Sequence, residues 1–245
     1  MLDREYIWII GASEGIGAEL AHDWAKCGAR LVLSARSSTR LQELAATLGA
    51  DHIVVPLDLA DRASIDAAAA QIAKLGPIDR VINMAALYAP GKVAELSPVD
   101  VAKIVSVNLT GSFHIAQIAQ GLLRKGGQLA LCGSVAGYVG LPQGQIYSAT
   151  KAGVINLTES LRAELAGRID VRLISPGFVD TRLTRRNDFT MPAMVTPKVA
   201  AQAIIDGLCS NRFEVHFPRR LTLALKVLRI LPYWAALPLM QKLAR

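Results

Sequence analysis

The feature that most constrains this chain is its alternation of short apolar runs with longer amphipathic stretches. Runs at residues 6–10, 30–35, 52–56, 79–83, 127–132, 170–174 and 213–216 have strand length and are rich in Ile, Val and Leu. Between them, residues 15–27, 40–48, 62–75, 99–105, 109–125, 146–166 and 197–209 have helical patterning. Strands separated by helices of this length pair in parallel through right-handed crossovers, which predicts an α/β doubly wound parallel sheet. The punctuation agrees. Gly28 and Gly49 follow the first two helices, and Thr196-Pro197 offers a cap with proline at the first helical position. No internal repeat and no long linker divides the chain. It reads as a single domain, residues 1–217, with a tail at 218–245 that is not an independent domain.

Composition narrows the function. Of 245 residues 52% are hydrophobic and 19% charged, enough for a core covered on both faces of a sheet and too apolar for a disordered chain. The formal net charge of +7 is unevenly placed. Residues 1–211 hold 20 basic and 19 acidic side chains, whereas residues 212–245 hold seven basic and one acidic, Glu214. A nearly neutral main body disfavours a general nucleic-acid surface. Cys27, Cys132 and Cys209 have no metal-site or disulfide spacing and are expected as small core residues in a reducing, cytoplasmic setting. No signal peptide is recognised at the N-terminus, and the longest charge-free window, residues 126–150, lacks the character of a membrane span.

In a doubly wound sheet ligands bind beyond the carboxyl ends of the strands. After the first run comes Gly11-Ala12-Ser13-Glu14-Gly15-Ile16-Gly17. Glycines there allow a tight turn and close backbone approach to a pyrophosphate, and a helix N-terminus offers free N–H groups to the anion. A structural glycine turn is the alternative reading. About twenty residues on, an acidic residue would bind the ribose 2′-hydroxyl of NAD and a basic one the 2′-phosphate of NADP. The second run ends in Arg36-Ser37-Ser38 without a carboxylate, which favours NADP(H) over NAD(H), with Ser37 and Arg40 assisting. A solvated surface arginine is the plainer alternative for Arg36.

Tyr147-Ser148-Ala149-Thr150-Lys151 puts a phenol and an ammonium on one helix face. A nearby cation lowers a phenol pKa, and a shift of roughly three units needs about 4 kcal/mol of differential stabilisation. Lys151 with an oxidised nicotinamide ring is expected to supply it. Ser134, directly after a strand, is placed to hold a substrate carbonyl oxygen, and Asn108 stands at the start of a long helix.

Taken in order, the glycine loop, Asp58-Leu59, Asn83-Met84-Ala85-Ala86, Asn108, Ser134, Tyr147-x-x-x-Lys151 and Pro176-Gly177-Phe178-Val179-Asp180-Thr181 resemble the short-chain dehydrogenase/reductase family in its short single-domain form, over roughly residues 6–211. The resemblance implies a Rossmann fold. It also implies roles at the matching positions. Tyr147 would be the general acid in carbonyl reduction and the base in alcohol oxidation; Lys151 would lower its pKa and bind the nicotinamide ribose. Ser134 would orient the substrate oxygen, and Asn108 would hold a water linking Lys151 to a proton relay. Dinucleotide contacts would come from Gly11, Ser13, Glu14, Gly15, Ile16 and Gly17, from Asp58 and Leu59 at the adenine, and from Asn83 and Ala85 at the adenosine ribose. Pro176, Gly177, Val179 and Thr181 would meet the nicotinamide end. Helix capping is the alternative for Asp58, Asn108 and Thr181. No metal is implied. Homodimers or homotetramers through helices 109–125 and 146–166 are. Two positions depart from the family pattern: Ile10 replaces the usual Thr before the first glycine, and Met84-Ala85-Ala86 replaces Asn-Ala-Gly. Apolar packing of Ile10 and Met84 is expected to replace the polar link between those strand ends.

Phe178, Leu183, Phe189, Met191, Pro192, Met194 and Val195, with Leu87, Tyr88, Val139, Leu141 and Pro142, read as an apolar lid for a hydrophobic aldehyde, ketone or alcohol. In the tail, Thr222, Lys226 and Arg229 form one narrow polar stripe on a helix over residues 221–231 that Pro232 ends. The wide apolar remainder fits a helix lying in a membrane surface, or one packed on a partner subunit or over the substrate pocket. The sequence thus predicts an NADP(H)-dependent oxidoreductase acting on a carbonyl/alcohol pair. An NAD-dependent alcohol dehydrogenase and a non-catalytic dinucleotide-sensing or membrane-scaffold protein are the rivals.

Overall fold

The computed structural model describes residues 5–49, 51–187 and 191–243, the last two by main chain only. Phe189 of the expected lid therefore lies outside the described residues. Seven parallel strands form one sheet: β1 (Tyr6–Ile10), β2 (Arg30–Ser34), β3 (Ile53–Val54), β4 (Ile78–Asn83), β5 (Leu123–Cys132), β6 (Asp170–Pro176) and β7 (Glu214–Phe217). Their spatial order is β3-β2-β1-β4-β5-β6-β7. Strand order therefore reverses between β1 and β4, where the carboxyl ends open a crevice.

Period-two alternation divides the core. Tyr6, Trp8 and Ile10 of β1 enter one cluster and Ile7 and Ile9 the other. On the first face pack α3 (Arg62–Ala73), α5 (Gly111–Leu122) and α6 (Gln145–Glu164), through residues such as Ile65, Ile115 and Val154. On the second pack α1 (Gly15–Lys26), α2 (Ser38–Leu48) and α7 (Pro197–Leu208), through Leu20, Leu41 and Ile204. Helix starts follow local chemistry. Ser37 caps α2 by accepting from Arg40 N at 3.4 Å, so α2 begins two residues before expected. Thr196 caps α7 ahead of Pro197.

Three boundaries differ from the sequence reading. α4 (Pro98–Val105) runs through a π-helical turn, Ser106–Thr110, into α5 without a break. α5 then ends at Leu122, not at residue 125. Leu123 turns extended (ψ 138°), pairs with Ile78 and packs on the first core cluster, and Gly126 with φ 76° makes the kink that restarts the strand. The short β3 is an edge strand, although Val55 N and Leu57 N still donate to Leu33 and Ala35. The cysteines also depart from expectation. Cys27 and Cys209 are exposed in the turns after α1 and α7, and Cys132 is half-buried.

The tail folds back on the domain. α8 (Arg219–Ile230) and α9 (Tyr233–Leu243) bury Leu225, Leu228 and Ala236 against Val135, Tyr138, Ile155 and Leu173. Its orientation corrects the expected polar stripe. Thr222 is fully buried and its Oγ1 lies 2.7 Å from His216 Nδ1, while Lys226 hydrogen-bonds Glu214. Those polar groups face inward because β7 offers them partners. No helix among the described residues is long and apolar enough to cross a membrane.

Candidate active site

The crevice beyond β1, β4, β5 and β6 collects most of the expected site. It is lined by Gly11, Ser13, Glu14, Gly15, Ile16 and Gly17 with Arg36, Ser37, Asp58 and Leu59, and by Ala85, Ser134, Tyr147, Lys151, Pro176, Gly177, Val179 and Thr181. The glycines are required by close approach. A Cβ on Gly17 would sit 2.1 Å from Gly11 O, and one on Gly11, whose φ is 84°, 2.7 Å from Ala85 N. Glu14 begins α1 without a side-chain cap, so the first-turn N–H groups remain open to an anion. Its carboxylate turns away to Arg40 Nη1 (3.1 Å) and Arg182 Nη1 (3.5 Å).

Arg36 is exposed at the carboxyl end of β2, with no hydrogen-bond or ion-pair partner among the described residues. Asp58 lines the crevice, and its Oδ1 accepts from Ala60 N at 2.9 Å in a local turn; it does not cap the next helix, because Asp61 does so by accepting from Ala63 N. Thr181 stands over the glycine loop, its Cγ2 3.2 Å from the Cβ position of Gly15.

α6 presents Tyr147 and Lys151 from its first two turns. Lys151 is buried and donates to Cys132 O at 2.6 Å, with its Nζ 5.7 Å from the Tyr147 ring centre. Burial lowers the Lys151 pKa, the adjoining Cys132 opposing, and burial raises that of the Cys132 thiol. The Tyr147 phenol is pushed well above its ordinary value by burial first, then by Cys132, with a hydrogen bond from Ser134 opposing and Tyr88 adding. The Lys151 ammonium is committed to the Cys132 carbonyl, and desolvation dominates at the phenol. Ser134 Oγ accepts from Ala136 N at 3.1 Å, which fixes the hydroxyl at the start of a short 3₁₀ turn.

Two predicted residues stand behind the crevice wall. Asn83 Oδ1 accepts from Ala85 N and its Nδ2 donates to Ser112 Oγ, both at 3.2 Å. Asn108, inside the π turn, accepts from Leu87 N (2.7 Å) and donates to Leu87 O (2.9 Å) and Thr150 Oγ1 (3.2 Å). Its side chain thereby registers the segment after β4 against α6. Ile10 and Met84 do not pack on each other, as they serve opposite core clusters; Met84 N donates to Ile10 O at 2.9 Å instead. A main-chain bond joins those strand ends.

The expected lid divides. Leu87 and Leu183 line the crevice, and Tyr88 meets Tyr147 edge-on with ring centres 5.0 Å apart. The segments 178–187 and 191–195 meet at a neck, where Val195 N donates to Phe178 O and Asp180 N to Val195 O. Met191 accepts from Asn187, whereas Pro192 and Met194 are exposed. Val139, Leu141 and Pro142 line a second cavity beside Leu237 and Met240 of α9. Sequence reasoning missed Cys132, Arg182 and Thr184 as crevice residues. Position at the end of β5 was the available signal for Cys132; the two others depend on how the loop after β6 folds back.

Comparison with known proteins gives the family and the fold. The short chain dehydrogenase family model matches residues 5–191. An uncharacterised oxidoreductase of Staphylococcus epidermidis is 33% identical over 204 residues, covering 82% of this chain and 89% of its own. A short-chain dehydrogenase from Sphingobium yanoikuyae, solved in complex with NADPH, superposes with a TM-score of 0.81 at 26% identity, covering 97% of this chain and 94% of that one. One from Burkholderia phymatum, solved with NAD, gives 0.82 at 24% identity, over 91% and 92%. The chain belongs to the short-chain dehydrogenase/reductase family, whose members are oxidoreductases built on a nucleotide-binding Rossmann fold.

Proposed function

We propose that this protein is an NADP(H)-dependent oxidoreductase that exchanges hydride with a hydrophobic carbonyl/alcohol pair. The observation that carries the reading is a single crevice lined by the glycine loop and unpaired Arg36 together with Ser134, Tyr147 and Lys151. The residues present suit a nicotinamide dinucleotide: two glycines whose Cβ positions are filled by backbone, an uncapped helix start, and no carboxylate at the end of β2. When bound, the dinucleotide supplies or accepts the hydride. Ser134 Oγ orients the substrate oxygen and Tyr147 Oη gives or takes the proton. Lys151 Nζ, anchored on Cys132 O, is the cation beside that proton and the group for the ribose hydroxyls. Leu87, Tyr88 and Leu183 make the substrate end apolar. Asn83 and Asn108 act through the segments they hold, and the exposed Phe113 on α5 belongs to the face through which a homodimer or homotetramer would form.

Cofactor titration by nicotinamide fluorescence tests the choice against the NAD-linked reading. NADPH is expected to bind tighter than NADH, and Arg36→Asp to weaken NADPH by about 10- to 100-fold, the worth of a charged hydrogen bond. An unchanged preference would show the assignment to be wrong.

A further inference from the structure

The outer face of the C-terminal helices is unlike the rest of the surface. Leu223, Val227 and Ile230, at i, i+4 and i+7, form a stripe on the solvent side of α8. Across the turn at Pro232, Tyr233 and Trp234 are each 81% exposed, and Ile230 80%. Polar groups that would ordinarily occupy an outer face lie inside: Thr222 on His216, and Lys226 on Glu214. Leu225 and Leu228 fill the inner face as in any surface helix, so α8 carries apolar side chains on both its inner and its outer side.

The charge of this region says what covers it. Residues 218–245 contain six Arg and Lys and no Asp or Glu, and Glu214 is already held by Lys226 and Tyr138. Arg219 and Arg220 occupy the first turn of α8, where the helix dipole disfavours cations, and Pro218 provides no side-chain cap. An external anion would relieve both. A second copy of the same face would bring its own arginines against these, with no Asp or Glu in residues 218–245 to neutralise them. Aromatic residues beside aliphatic ones, rimmed by arginines that have no ion-pair partner among the described residues, match the interface of an anionic bilayer.

We infer that α8 and the start of α9 dock the protein on anionic lipid surfaces, with Ile230, Tyr233 and Trp234 entering the headgroup region and Arg219, Arg220 and Arg229 meeting phosphates. The inference is independent of the chemistry in the crevice. It is tested by flotation of the full chain with vesicles of phosphatidylcholine alone, or with about a third phosphatidylglycerol, at low salt and at ~0.5 M salt. Flotation is expected with the anionic vesicles at low salt only. Arg219→Glu with Arg220→Glu, and separately Ile230→Ser with Trp234→Ser, are each expected to cut the floated fraction by about tenfold or more. Because these side chains are exposed, melting temperature and NADPH affinity should stay as in the unaltered chain. Failure of the full chain to float, or equal flotation of the variants, overturns the proposal. So does sedimentation showing that Ile230→Ser with Trp234→Ser turns a dimer into a monomer, since a second copy would then cover the face.

Discussion

At the scale of the residue, the phenol of Tyr147 keeps its proton because burial and the neighbouring Cys132 outweigh the Ser134 hydrogen bond. A raised pKa has opposite consequences for the two directions of a carbonyl/alcohol reaction. In the proposed mechanism reduction uses the protonated phenol, so its rate is expected to stay flat from about pH 6 to 9. Oxidation needs the phenolate and should rise with pH across the same interval. Tyr147→Phe should lower kcat by at least ~100-fold while leaving the NADPH dissociation constant within about threefold. Stopped-flow and steady-state assays with graded aldehydes and their alcohols give all four quantities. Tyr147, Lys151 and Ser134 were legible in the sequence because their spacing is local to one helix and one strand end. The hold of Cys132 O on Lys151 was not, since 19 residues separate them and only the pairing of β5 beside α6 brings them together.

At the scale of the element, β6 and α6 are joined at the end away from the crevice. Asp170 accepts from Arg172 Nε through both oxygens at 2.8 Å, from Gln128 Nε2 at 2.9 Å, and from Arg162 near the end of α6. Burial pushes this carboxyl up, but the bonds from Arg172, Gln128 and Arg162 outweigh it and hold the pKa below its ordinary value. In the unfolded chain Asp titrates near ~3.9. The stabilisation is therefore complete above that value and is lost as pH falls towards the lower folded one. Asp170→Asn should cost about 2 kcal/mol at neutral pH and flatten the acid limb, as read from urea midpoints at stepped pH. Elements were legible wherever period and punctuation agreed, as in β1, α1 and α7. The π turn at Ser106–Thr110 and the early start of β5 were not. Both depend on tertiary demands, the Asn108 clamp and the seating of Leu123, that override an otherwise continuous helical pattern.

At the scale of the whole molecule, the parallel doubly wound sheet followed from alternation, whereas the strand order that puts the reversal between β1 and β4 is seen only in the fold. The tail was not legible either. Its amphipathic pattern showed two faces without saying which faced the domain, because a stripe of Thr and Lys can be solvated by water or by His216 and Glu214. Two substitutions on α8 separate these cases. Leu225→Ala should lower stability by ~2–3 kcal/mol, since Leu225 packs against Leu173 and Tyr138, whereas Leu223→Ser on the outer side should change it by less than ~0.5 kcal/mol. Chemical denaturation of the full chain measures both.

The pairing of Asn108 with both peptide groups of Leu87 reaches beyond mechanics. A side-chain amide stands where a neighbouring strand would otherwise be, so Leu87, the fourth residue after β4, is pinned from outside its own loop. Insertions and substitutions beyond Leu87 can then accumulate without displacing Tyr147 or Lys151. In a lineage of such chains, the range of molecules admitted at the rim is free to diversify while the proton chemistry beneath it is inherited unchanged.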